Sequence, residues 1–147
     1  MSSKFVYVTY IRTTPQKLWD ALTQPEFQKQ YWFGMPQESE WKEGSSWAMK
    51  FEDGRVADAG EVLEVDPLRR LVLKWRNEFR PELTEEGFSR CEYTLEQDGD
   101  VMKLTITHSI EKDQAKFIDA VSGGWPRIMA SLKSFLESGT PLPRTHQ

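Results

Sequence analysis

The chain is 147 residues long, 38% hydrophobic and 29% charged, with a formal net charge of −4, enough for one domain with a proper core. Lys and Arg are scattered among Asp and Glu, so no basic face of the kind that nucleic acid requires is present. No run approaches the ~18 apolar residues of a membrane span, and the single cysteine, Cys91, supports neither a disulfide framework nor a thiolate metal cluster within one chain.

Residues 4–12 alternate and are rich in Val, Tyr, Phe and Ile, which predicts a strand. Thr14 followed by Pro15 then marks a helix start, because the hydroxyl accepts an orphan N–H and proline suits the first turn. Leu18, Trp19 and Leu22 form its apolar stripe. Pro25 stops that helix and opens a second, with Phe27, Tyr31 and Trp32 as inner face, closed by Gly34 and Pro36. Strands are predicted at 38–42, 45–52, 56–66, 70–79, 88–97 and 100–110.

A two-residue turn at Asp98-Gly99 places Leu95 opposite Met102, Tyr93 opposite Leu104, Cys91 opposite Ile106 and Ser89 opposite His108, all on one apolar face. Glu92, Thr94, Lys103 and Thr105 share the solvent face. The same arithmetic at Asp53-Gly54 groups Trp47, Met49 and Phe51 with Val56, Asp58 and Gly60, yet Leu63 and Val65 have the opposite parity. A bulge near Gly60 would reconcile them and leaves the direction of Glu61 open. Asp66-Pro67 makes the next turn, and Leu71, Leu73 and Trp75 continue the buried face. From about 113 the period is helical, with Phe117, Val121, Trp125, Ile128, Met129, Leu132, Phe135 and Leu136 on one stripe. Gly123, Gly124 and Pro126 predict a start or kink, with the main helix over 124–137 and residues 139–147 as a flexible C-terminal tail.

The combination of Thr14-Pro15-Gln16-Lys17-Leu18-Trp19-Asp20-Ala21-Leu22-Thr23-Gln24-Pro25, Gly60-Glu61-Val62-Leu63-Glu64-Val65-Asp66-Pro67 with Leu71-Val72-Leu73-Lys74-Trp75, then Leu104-Thr105-Ile106-Thr107-His108 and the closing Gly124-Trp125 helix resembles the homologues of the heat-shock-protein-90 ATPase activator, in the START-like or SRPBCC superfamily. The resemblance runs over about residues 4–138 and makes 1–138 one domain. It implies an α+β helix-grip fold, START-like and Bet v-like: a curved seven-stranded antiparallel sheet around a long C-terminal helix, with two short helices after the first strand. Superfamily members bind lipids, sterols, plant hormones or polyketides, and a few catalyse cyclisation or hydrolysis. The eukaryotic activator that names the family carries an additional N-terminal domain that grips the chaperone, for which these 147 residues leave no room.

His108, on the apolar face and diagonal to Cys91, is either an acid, base or ligand donor or a core histidine satisfied by a backbone group or by Ser89. Cys91 reads better as a small buried apolar residue than as a nucleophile, since diagonal hairpin partners sit about 7 Å apart. Trp125 stands beside two glycines where backbone can approach a ligand, and the hydroxyl of Tyr93 needs a partner of its own. The charged connection 76–87 is a solvated loop or a lid. His146 sits in the tail.

These readings lead to a cytoplasmic binding module holding a small hydrophobic or amphipathic ligand between sheet and C-terminal helix. Trp75, Cys91, Tyr93, His108, Phe117, Trp125 and Met129 are the candidate lining. No cofactor, no metal and no catalytic residue are assigned, and neither nucleic acid nor membrane is expected as a partner. The alternatives are a co-chaperone-like regulator of a heat-shock ATPase, and a small cyclase or hydrolase using His108. A monomer or weak dimer is expected.

Overall fold

A computed structural model describes residues 2–143; His146 and the last residues of the predicted tail lie outside the described residues. The elements follow in the order β1 (Ser3–Ile11), α1 (Pro15–Thr23), α2 (Pro25–Tyr31), β2 (Gln37–Ser39), β3 (Ser46–Lys50), β4 (Val56–Asp66), β5 (Arg70–Asn77), α3 (Pro81–Thr84), β6 (Ser89–Asp98), β7 (Val101–Ile110) and α4 (Lys116–Ser138). The sheet is seven-stranded and antiparallel in the order β1-β7-β6-β5-β4-β3-β2. β1 thus pairs with the last strand, and α1 and α2 carry the chain to the far edge. The long helix α4 lies on the inner face of the sheet, giving the α+β helix-grip arrangement.

Local chemistry sets most boundaries. Thr14 Oγ1 accepts the N–H of Lys17 at 3.2 Å and Pro15 occupies the first turn of α1. Buried Gln28 ties α2 to the sheet: its Nε2 donates to Leu22 O at 2.7 Å and its Oε1 accepts from Gln37 N at 2.9 Å. Gln37 Oε1 in turn accepts the indole N–H of Trp47 at 3.0 Å. The strand predicted at 38–42 is cut to Gln37–Ser39, because Ser39 Oγ and Ser45 Oγ accept the N–H groups of Trp41 and Lys42 and bend the chain. Asn77 ends β5 two residues earlier than predicted, since its Oδ1 accepts from Phe79 N at 3.1 Å and Arg80 N at 2.8 Å in an Asx turn.

The β6–β7 hairpin differs from the predicted register by two residues. Asp98 pairs with Val101, leaving Gly99-Asp100 as the loop, so Leu95 faces Leu104, Tyr93 faces Ile106 and Cys91 faces His108. Gly99 has φ of 63° at the first loop position, the pattern of a type II′ turn rather than the type I′ turn that Asp98-Gly99 suggests. A slip of two conserves the face, so the predicted inner residues stay inside.

The bulge on β4 falls at Leu63, not at Gly60. Val62 is buried, Leu63 is 42% exposed, and Val65 returns to the inner face opposite Leu71. Glu61, opposite Ser46 and Lys74, has the parity of the outer face. A second irregularity lies between Met49 and Lys50.

Helix α4 begins at Lys116, well before the predicted 124, and runs through Gly123, Gly124 and Pro126. No side chain of its own N-cap residue, Ala115, caps it. Instead both oxygens of Glu86, some thirty residues upstream, accept N–H groups at 2.8 Å, from Lys116 and Phe117. Ser3 Oγ accepts the N–H of Ala115 at 3.0 Å. A remote carboxylate therefore satisfies the orphan donors and opposes the positive end of the helix. At the other end Gly139 closes the helix in the left-handed conformation, and Leu142 N donates to Ser131 Oγ at 3.2 Å.

Candidate functional site

The site forms where the ends of β3, β4 and β5 meet the middle of α4. On the inner face Trp47, Gly60 and Trp75 stand in one cross-strand row. Gly60 has no side chain, and the two indoles meet at 4.4 Å between ring centres. A Cβ on Gly60 would come within 1.7 Å of the carbonyl oxygen of Lys74, so the strands approach here as only glycine permits. The next pair along is Asp58 with Asn77, both 7% exposed.

Between this corner and α4 lies a cavity of about 300 Å³. Met49, Asp58, Trp75 and Asn77 form its sheet wall; Phe117, Val121, Gly124, Trp125 and Ile128 form its helix wall. Trp32 and Met35, following α2, close one side, and Phe51, Phe79, Arg80 and Leu83 surround the mouth. The rings interlock: Trp32 meets Trp125 edge-on at 5.5 Å, Trp75 meets Trp125 at 5.8 Å, and Phe51 meets Phe79 at 5.1 Å. Residues 76–87 thus reach the cavity through Asn77, Phe79, Arg80 and the buried Leu83 of α3.

Asp58 is the one acidic group on this wall. Its Oδ2 accepts the indole N–H of Trp75 at 2.6 Å. Burial pushes its carboxyl up to about 6, the Trp75 bond pulling the other way and the charge of Glu78 adding to the rise. Arg80, the one cation among the lining residues, donates from Nε and Nη2 to Glu82 at 3.2 and 3.0 Å.

His108 lies under the cavity rather than on it. Trp125 Nε1 can only donate, and it donates to His108 Nδ1 at 3.0 Å, which makes Nδ1 the acceptor and leaves the proton on Nε2. Nε2 therefore donates to Ser89 Oγ at 2.9 Å, and Ser89 donates onward to Trp75 O at 2.7 Å. Both ring nitrogens are occupied, and burial lowers the imidazole to about 3, so it is neutral across the physiological range. Cys91, directly opposite His108, is fully buried; burial pushes its thiol far above the ordinary range, against a hydrogen bond from Tyr93. Such a thiol has no thiolate to offer.

Of the seven candidate lining residues, Trp75, Phe117 and Trp125 are on the cavity wall. Cys91, Tyr93, His108 and Met129 form the packed layer beneath it, where Trp125 covers Tyr93 edge-on at 5.9 Å. The turn arithmetic at Asp53-Gly54 groups Asp58 with Trp47, Met49 and Gly60 without resolving the parity of Leu63 and Val65, and an acidic residue on that otherwise apolar face is the available signal for it. Trp32 and Phe51 carry a face assignment from their periodicity, whereas Phe79 and Leu83 have no such signal, because the connection after β5 and the one-turn α3 carry them to the site. Among the described residues no group of three or more His, Cys, Asp or Glu could hold a metal ion. No helix of the described chain is long and apolar enough to cross a membrane.

Known structures share this architecture. The protein MLL2253 from Mesorhizobium loti superposes with a TM-score of 0.78 at 24% identity, over 91% of this chain and 96% of that one. The Aha1 dimer from Colwellia psychrerythraea gives 0.76 at 20% identity, over 93% and 98% of the two chains. An HSP90 activator from Plasmodium falciparum gives 0.66 at 19%, over 83% and 86%. At these identities the likeness establishes the fold. No curated protein matches the chain by sequence. The sequence profile of one family matches residues 12–137, and the chain therefore belongs to the Activator of Hsp90 ATPase homolog 1-like protein family.

Proposed function

We propose that this domain binds a small hydrophobic or amphipathic molecule in the cavity between the sheet and α4. The observation that carries the reading is the cavity itself: about 300 Å³, walled almost wholly by indole, phenyl and aliphatic side chains, with very few polar groups. Ligand sites have this make-up, and their volumes begin at roughly this size. Trp75, Phe117 and Trp125 make contact with the ligand, and His108, Cys91, Tyr93 and Met129 hold that wall in place from behind. The occupied ring nitrogens of His108 leave nothing for cyclase or hydrolase chemistry there.

Native mass spectrometry of freshly purified protein, with extraction of whatever is released, tests this. A reproducible mass excess that Trp125→Ala abolishes is the expected result. A bare mass, together with no response of the intrinsic indole fluorescence to any apolar probe, contradicts it.

A second reading, a co-chaperone-like regulator of a heat-shock ATPase, draws support from the family and from the Plasmodium falciparum HSP90 activator. It would use the outer surface, where Val6, Val8 and Tyr10 of β1 stand 50%, 43% and 46% exposed. An altered ATPase turnover that Val8→Lys removes supports it, and an unchanged turnover rules it out.

A further inference from the structure

We infer that the ligand is a protonated amine on an apolar, aromatic-sized body, with Asp58 accepting from the ammonium group and the indoles of Trp32, Trp75 and Trp125 enclosing it. This rests on the pocket reading above and narrows it to one chemical class.

Three features lead there. Asp58 is 93% removed from solvent, by its 7% exposure, and lines the cavity. Its Oδ2 is engaged by Trp75, and among the described residues no hydrogen bond reaches Oδ1, which is not one of the buried unpaired atoms and so stays open on the cavity side. A half-satisfied carboxylate in an apolar wall calls for a donor, and it repels an anion. The lowered acidity of this group still leaves it ionised above neutral pH.

The charges facing it agree. Glu78, at the end of β5, adds negative potential at Asp58, though Arg76 holds it in an ion pair. Arg80 is drawn off by Glu82. Asn77 spends its Oδ1 on two backbone N–H groups and is uncharged. Among the described residues no unpaired cation lines the wall to compete for Asp58.

The aromatic surroundings supply the other half. Trp32, Trp75 and Trp125 pack within 5.5 to 6.3 Å of one another, and indole faces attract cations more strongly than other aromatic faces. A carboxylate set among indoles is the recognition chemistry of an ammonium group. A neutral isostere would fill the same space and leave the buried charge unpaired.

The test uses three ligands of nearly one shape, titrated calorimetrically at about pH 8 with the intact chain: 2-naphthylmethylamine, 2-naphthylmethanol and 2-naphthoate. The amine is expected to bind roughly tenfold or more tightly than the alcohol, with the carboxylate weakest. In Asp58→Asn the amine should fall to the level of the alcohol while the alcohol keeps its affinity. Equal binding of amine and alcohol to the wild-type chain overturns this inference and leaves the pocket reading standing. Failure of all three to bind overturns both. Should Asp58→Asn not fold, the wild-type series decides alone.

Discussion

Trp125 donates its indole N–H to Nδ1 of His108 at 3.0 Å, a buried bond that joins the middle of α4 to the centre of the sheet. Through Ser89 the same chain of bonds reaches the backbone of Trp75, so two walls of the cavity are positioned by one neutral imidazole. Partners this well satisfied specify a packing more than they perform chemistry.

Replacing His108 by Phe keeps a ring of similar size but strands the indole N–H of Trp125 in the core. A loss of roughly 2–4 kcal/mol of stability is expected, from the unmet donor and the imperfect fit. Urea unfolding measures it, and a change below about 0.5 kcal/mol would show that the bond holds nothing together.

Asp58 makes stability depend on acidity in an unusual direction. Burial holds its carboxyl at about 6 in the folded chain, well above the ordinary carboxylate range. The folded state therefore binds the proton more tightly than the unfolded one. The resulting stabilisation is complete below the unfolded value and is lost as pH rises through about 6. His108, lowered to about 3 from 6.5, acts oppositely: its contribution is present above 6.5 and lost as pH falls toward 3. Comparing wild type with Asp58→Asn isolates the first effect. The advantage of the wild type should grow by a few kcal/mol between about pH 8 and pH 4, and a constant difference would contradict the assignment.

Glu86 caps α4 from outside the helix. Glu86→Ala removes acceptors from the N–H groups of Lys116 and Phe117 and should cost about 1–2 kcal/mol. Hydrogen exchange at the first turn of α4 should speed up while the middle of β7 stays protected. Unchanged exchange at 116 and 117 would contradict the capping role.

The glycines should separate by environment. A Cβ at Gly123 meets nothing within 4 Å, so Gly123→Ala should stabilise the helix by about 0.5–1 kcal/mol. Gly124 has the same open space but lines the cavity, so Gly124→Leu should weaken ligand binding without unfolding the chain. Gly60→Ala should cost several kcal/mol or prevent folding, because the added carbon meets backbone. Thermal melts of the three variants give the order directly.

What the sequence alone discloses depends on where each determinant lies. Thr14 and Pro15 announce α1 because cap and helix are adjacent, and alternation put the right residues of β6 and β7 inside. The helical period is legible from about 113, but Gly123, Gly124 and Pro126 push the predicted main helix to 124, and no local cap marks Lys116 because the cap is Glu86, a residue brought near only by the fold. The hairpin register slipped because Gly99 takes the first loop position and not the second, which alternation cannot sense: a shift of two leaves every face unchanged. The cavity was less legible than the sheet for a similar reason. Its inner wall has strand periodicity, but Trp32, Met35, Phe79 and Leu83 arrive on turns and a one-turn helix. His108 is the lone histidine on the apolar face, yet the carboxylate that reaches the cavity is that of Asp58.

Indole N–H signals offer the most direct test that the cavity holds a ligand, since the six tryptophans divide by position. Trp32, Trp75 and Trp125 line the cavity, whereas Trp19 and Trp41 lie away from it. In a two-dimensional nitrogen–proton spectrum, titration with 2-naphthylmethanol should shift the signals of Trp32, Trp75 and Trp125 along one saturable curve and leave those of Trp19 and Trp41 in place. Shifts confined to Trp19 and Trp41, or none at all at saturating ligand, would contradict a binding site between the sheet and α4.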